Sequence, residues 1–191
     1  MKPKILAFAG STRTDSFNKK LIRIAVSGAS DAGADVTTID LRDFQMPLYD
    51  GDLEQNEGLP QNVQKLKELM LSHQGFLISA PEYNSSITGV LKNTIDWTSR
   101  QSENETPLAC YKGKVAGIMS ASPGGLGGLR GLVHVRAILE NMGVLVIPEQ
   151  IAVSAAHEAF DVDNLLKDKK QEEKVKKIGA NLTKILAKLS N

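Results

Sequence analysis

The chain has 191 residues, 41% hydrophobic and 24% charged, with 23 basic against 22 acidic side chains and a formal net charge of +1. That length suits one domain spanning 1–191 with a substantial core, and nothing in the near-zero balance points to a nucleic-acid surface or a membrane patch. One cysteine, Cys110, excludes an internal disulfide and any multi-cysteine metal site; His73, His134 and His157 are scattered, and no apolar run is long enough for a membrane span.

An apolar run starts within four residues of the beginning, so no signal peptide and a cytoplasmic location are expected. Residues 4–9 read as a first strand, and 19–31 as a helix with Leu21, Ile22, Ala25 and Ala29 on one side. Residues 35–40 form the second strand. Residues 41–59 hold no clear period and read as a long loop in which Asp50 and Asp52 are solvated. A second helix over 60–74 turns Val63, Leu66, Leu69 and Met70 inward, and 75–79 is an unbroken apolar strand suited to a sheet covered on both faces.

Residues 81–86 read as a turn, 89–99 as a third helix, 101–107 as a polar surface loop and 114–120 as a fourth strand. A glycine-rich stretch, 121–128, leads into a helix over 129–142 with Leu132, Val135, Leu139 and Met142 on one face. The fifth strand lies within 144–153, interrupted or ended near Pro148, and 155–166 has no pattern. A closing helix over 168–190 carries the stripe Val175, Ile178, Leu182, Ile185 and Leu189; its lysines, with Glu172 and Glu173, read as a solvated face. Five strands alternating with helices predict an α/β fold, doubly wound, with a five-stranded parallel sheet of order 2-1-3-4-5. Ligands of such folds bind beyond the carboxyl ends of the strands.

Three loops leaving those ends have unusual composition. Gly10-Ser11-Thr12-Arg13-Thr14-Asp15-Ser16-Phe17-Asn18 runs from a strand into a helix, where free N–H groups and the positive end of the dipole attract an anion. Ser11, Ser16 and Asn18 add short polar groups and Arg13 a forked cation. The loop lacks the lysine of a triphosphate P-loop and the three glycines of a dinucleotide fingerprint, so a phosphate monoester fits best. A polar loop that merely caps its helix is the alternative. In the second loop, Pro81 and Asn84 make a turn with exposed backbone groups and Tyr83 offers a flat face, as a heteroaromatic ring with polar edges requires. Lys92, Asn93, Asp96 and Trp97 read as helix packing and a local polar network, with Lys92 and Asp96 paired. In the third loop, glycines let the backbone approach a ligand and Ser122 offers hydrogen bonds. Arg130 opens a helix, the wrong end for a cation, and so calls for a carboxylate, a phosphate or a neighbouring subunit.

Gly10-Ser11-x-Arg13-x-x-Ser16-Phe17-Asn18, then Pro81-Glu82-Tyr83-Asn84 with Gly89-x-Leu91-Lys92-Asn93-x-x-Asp96-Trp97, then Gly127-Gly128-x-Arg130 occur in this order. Together they resemble the NAD(P)H-dependent FMN reductase family, which includes bacterial quinone, chromate and azo-dye reductases. The resemblance covers the chain from Lys4 to about Val153. It implies a flavodoxin-like fold and tightly bound FMN. By that resemblance Ser11, Arg13, Ser16, Phe17 and Asn18 hold the FMN phosphate; Pro81, Glu82, Tyr83, Asn84 and Ser85 line the isoalloxazine ring; and Ser122 with Gly124 closes the other side. It also implies a homodimer or homotetramer, with NADPH or NADH as co-substrate and a quinone, flavin, azo dye or metal oxyanion as acceptor. Hydride would pass from nicotinamide to the flavin and then, in ping-pong order, to the acceptor, so no acid–base side chain is expected to be catalytic. The competing readings are a flavodoxin-like electron carrier, against which the net charge of +1 weighs, and a non-enzymatic flavin-binding redox sensor.

Overall fold

The structure, a computed structural model, describes residues 2–189. In chain order its elements are β1 (Lys4–Ala9), α1 (Phe17–Asp31), β2 (Asp35–Thr38), α2 (Gly51–Glu57), α3 (Gln61–Ser72), β3 (Gly75–Ser79), β4 (Glu82–Tyr83), β5 (Ser86–Ile87), α4 (Gly89–Thr98), β6 (Val115–Ala121), α5 (Leu129–Asn141), β7 (Leu145–Val153), α6 (Ala156–Ala159) and α7 (Lys169–Leu189). Five strands pair in parallel in the order β2-β1-β3-β6-β7, which in sheet-strand count is the flavodoxin-like order 2-1-3-4-5. The remaining two, β4 and β5, pair antiparallel as a small hairpin.

Alternation along the central strands divides the core. Leu6, Phe8, Phe76, Ile78, Ala116 and Ile118 pack under α3, α4 and α5. Ile5, Ala7, Leu77, Val115 and Met119 pack under α1 and α7. Both faces are covered, so β3 and β6 are buried at every position and read as unbroken apolar runs. The helices α1 and α7 cross with their backbones almost touching: a Cβ on Gly28 would lie 2.1 Å from Lys176 O, and one on Gly179 would lie 2.0 Å from Ala25 O.

Several local expectations are corrected. The expected loop 41–59 holds a short 3₁₀ turn, Leu41–Asp43, and all of α2. No residue of α2 is buried, so it has no apolar period to find; Asp50, read as a solvated acid, is its N-cap and accepts from Asp52 N and Leu53 N. Polar contacts hold the helix down: Glu54 takes the Arg100 guanidinium at 2.8 Å and the Tyr49 hydroxyl at 3.0 Å. The turn at 81–86 is the β4–β5 hairpin. Its centre, Asn84 and Ser85, has φ of 52° and 66°, the two left-handed residues of a type I′ turn. The fifth strand is interrupted at Pro148, as one of the two expected readings had it, and runs on past it. Register jumps from Ala116↔Val146 to Ile118↔Gln150 around it, and the Arg136 guanidinium donates to Val146 O, Ile147 O and Gln150 Oε1 across the bulge.

In α7, Leu186 takes the inward place expected of Leu189, which is exposed, and Glu172 is buried between Lys169 and Lys176. Ser190, the expected end of that helix, lies outside the described residues. Among those residues no helix is long and apolar enough to cross a membrane. Cys110 is buried against the Lys67 backbone, and burial pushes its thiol up to about 11.

Two outcomes follow. Gly179→Ala forces a Cβ into the α1 backbone and should cost about 1–3 kcal/mol, read as a lower urea midpoint. Cys110 should not react with a thiol reagent at pH 8 in the native state and should titrate as one thiol in denaturant.

Candidate functional site

At the carboxyl edge of the sheet the three loops converge on a cleft of about 50 Å³. Ser11, Arg13, Ser16, Phe17 and Asn18 come from the β1–α1 loop, Pro81, Glu82 and Tyr83 from the loop after β3, and Ala121, Ser122 and Pro123 from the loop after β6. Of the residues expected here, Asn84 and Ser85 sit at the hairpin tip and Gly124 lies just past Pro123, all outside the cleft. Larger grooves run along α7, about 590 Å³ against α1 and about 730 Å³ against β7, lined mainly by long side chains of both charges.

What marks the cleft is unspent hydrogen-bonding capacity. Ser16 is the N-cap of α1, where a serine hydroxyl ordinarily accepts from the N–H two or three residues on. Here it makes no such bond; Lys19 N and Lys20 N both go to Ser16 O. Among the described residues the Ser16 hydroxyl, the N–H groups of Phe17 and Asn18 and the Arg13 guanidinium have no hydrogen-bond or ion-pair partner. These donors, with the dipole of a 15-residue helix, favour one anion. The expectation for Asn18 is corrected in kind. Its side chain is buried and spent on the frame: Nδ2 donates to Ala121 O at 2.8 Å, while Oδ1 accepts from Ala121 N at 3.0 Å and Ser79 Oγ at 2.8 Å. Only its backbone N–H is left to the cleft. The Phe17 ring is stacked on Phe160, with centroids 6.1 Å apart.

Glu82 is also a brace. Its side chain is 7% exposed, takes Arg130 Nη2 at 2.6 Å and accepts from Gly131 N at 3.0 Å. Burial works to raise its pKa, but the Gly131 N–H and the Arg130 guanidinium outweigh it and hold the carboxyl below the usual range. Of the three partners open to Arg130, a carboxylate, a phosphate or a neighbouring subunit, the structure supplies a carboxylate, Glu82, which also fills the N-terminus of α5. Tyr83, 57% exposed, is left as the open flat face of the hairpin.

The glycines of the third loop divide into two roles. Gly127 and Gly128 have φ of +62° and +93°, and a Cβ on Gly128 would lie 1.9 Å from Ser120 Oγ, so the pair lets the loop lie against the sheet. Gly124 and Gly125 meet no backbone neighbour and remain open.

Other supporting residues carry weak sequence signals. Thr88 caps α4 through Leu91 N and donates to Gly10 O at 2.7 Å, joining the first and second loops. Ser79, a polar end to an apolar strand, meets Asn18. Asn93 and Trp97 hold the chain before α2, through Tyr49 N and Pro47 O, which is the local network expected of them; Lys92 and Asp96 pair at 2.7 Å.

Fold and cleft together define a flavodoxin-like protein with a group of open hydrogen-bond donors at the start of α1. Residues 3–158 match the NADPH-dependent FMN reductase family. The chain is 34% identical over 171 residues to an NAD(P)H-dependent FMN reductase of Pseudomonas aeruginosa, covering 89% of this chain and 88% of that protein. It is 37% identical over 147 residues to a quinone reductase of Escherichia coli K12, covering 76% and 74%. Among solved structures, FerB of Paracoccus denitrificans, a flavoenzyme NAD(P)H:(acceptor) oxidoreductase, superposes with a TM-score of 0.79 at 27% identity, covering 97% of this chain and 98% of that one. The chain belongs to the NADPH-dependent FMN reductase family and is an oxidoreductase, with FMN and NAD(P)H as its redox partners.

The Glu82 brace gives a signed pH dependence. Its folded pKa is lowered, so its contribution is complete above the free-glutamate value of about 4.3 and is lost as pH falls through the folded value. Glu82→Gln should lower stability at pH 7 by about 1–3 kcal/mol and flatten the acid limb of a stability-against-pH profile.

Proposed function

We propose that the chain acts as one FMN-binding domain over 1–191 that oxidises NADPH or NADH and reduces a quinone or similar small acceptor, in ping-pong order, in the cytoplasm. The single observation that carries this reading is the set of unpaired donors at the start of α1. The Ser16 hydroxyl, two backbone N–H groups and the Arg13 guanidinium match a terminal phosphate of about −1.5 to −2 charge. Donors unable to release a proton at neutral pH suit a group that is held rather than turned over. Ser11 closes the same wall, and Asn18 contributes its backbone.

Pro81, Tyr83, Asn84 and Ser85 on one side, and Ser122 with Gly124 on the other, would border the ring. FMN bound there supplies the hydride acceptance and its onward transfer. The protein's residues supply the rest: Glu82 and Arg130 hold the hairpin to α5, and Gly127 and Gly128 hold the third loop to the sheet. No side chain needs to move a proton.

We also propose a homodimer or homotetramer. What supports it is an exposed apolar stripe beside the cleft, Leu126, Leu129 and Val133, with Tyr83 across the hairpin. The loop around Leu48, also exposed, is the second candidate contact.

Purified protein should show a flavin spectrum that bleaches on anaerobic addition of NADPH or NADH. A flavin spectrum that persists would mean a carrier or sensor. Arg13→Ala should weaken FMN binding about 10-fold or more while leaving riboflavin binding nearly unchanged. Light scattering should give the mass of two or four chains; a monomer would remove the role given to the stripe.

A further inference from the structure

A residue from outside the three loops binds the backbone of the first. Arg42 lies in the 3₁₀ turn Leu41–Asp43 that follows β2. Its guanidinium forks onto one backbone oxygen, with Nε 3.1 Å and Nη2 2.7 Å from Thr12 O. The turn is itself anchored: Asp40 caps it by accepting Arg42 N at 3.0 Å and pairs through its other oxygen with Lys19 of α1. Two points of the β2–α2 connection thus brace the first loop and the helix it enters.

The consequence is in the peptide plane. The Thr12–Arg13 bond is trans, so its C=O and N–H point in opposite directions. With the carbonyl held by two N–H groups of one guanidinium, the Arg13 N–H is turned to the other side, where it donates a long hydrogen bond, 3.3 Å, to Ser11 Oγ, a residue of the cleft wall. Rotated by half a turn, the same peptide would offer the anion its carbonyl oxygen, replacing attraction with repulsion.

We propose that Arg42 is a positioning residue for the cofactor phosphate: it fixes the Thr12–Arg13 peptide so that the Arg13 N–H joins the donors at the start of α1. This rests on the reading of that seat as the FMN phosphate site. Among the described residues both hydrogen bonds of the Arg42 guanidinium go to Thr12 O, and the first-loop motif holds no trace of it.

The test compares FMN with riboflavin, which lacks the phosphate, by fluorescence titration of flavin-stripped protein. Arg42→Ala should weaken FMN about 10-fold and riboflavin less than about 2-fold. Arg42→Lys keeps the charge but not the fork and should still lose about 3-fold or more of FMN affinity. An unchanged FMN-to-riboflavin ratio in Arg42→Ala, whether both bind normally or both bind poorly, overturns the proposal. Full FMN affinity in Arg42→Lys also overturns it, leaving only a through-space charge effect. Arg13→Ala separates the two levels: if it alone loses FMN selectively, the seat stands and the role of Arg42 fails, and if it too leaves the ratio unchanged, the seat itself is misassigned.

Discussion

Three hydrogen bonds converge on the buried side chain of Asn18, and through them the first turn of α1 is tied to the carboxyl ends of two strands at once. Its amide pairs in both directions with the backbone of Ala121, at the end of β6, and accepts from Ser79, at the end of β3. A buried amide satisfied this way holds its partners in one arrangement, since breaking any bond leaves a polar atom unpaired away from water. The start of α1 is therefore placed against the sheet, and the donors at that start keep a common direction. Thr88 adds a second tie from α4 to Gly10, so the first loop is fixed at both of its ends.

The N-termini of α1 and α5, both at this edge of the sheet, are treated differently. That of α5 is filled from within the chain by Glu82, whose charge is also matched by Arg130. That of α1 is left with its donors unspent, its own capping serine included. Of these two termini, only that of α1 keeps open donors toward the cleft. The filled terminus still serves the site, because the salt bridge holds the hairpin that carries Tyr83.

The motif residues of the second loop divide on the same principle. Asn93 and Trp97 look inward to Pro47 and Tyr49 and hold the chain ahead of α2, an element with no buried residue of its own. The polar groups of Asn93 and Trp97 are spent on the backbone ahead of α2.

Sheet order, the two core faces and the three loops were legible in the sequence, because strand runs such as 75–79 and helix stripes such as Leu132, Val135 and Leu139 are local patterns set by burial on one or both faces. That Arg13 and Ser16 share one strand-to-helix turn was legible too, because they lie three residues apart in the chain; the structure adds that both line one cleft. The sequence could not separate Asn18, a frame residue, from Ser16, a free donor, two positions away, nor find α2, whose capping signal at Asp50 stands without an apolar face. It could not pair Glu82 with Arg130, 48 residues apart, or bring Arg42 to Thr12. By itself the sequence determined which residue types stand at the sheet edge and in what periodic frame. Only the tertiary structure decided which of their polar groups are consumed by one another, because hydrogen-bond partners distant in the chain meet only when the sheet has brought its strand ends together.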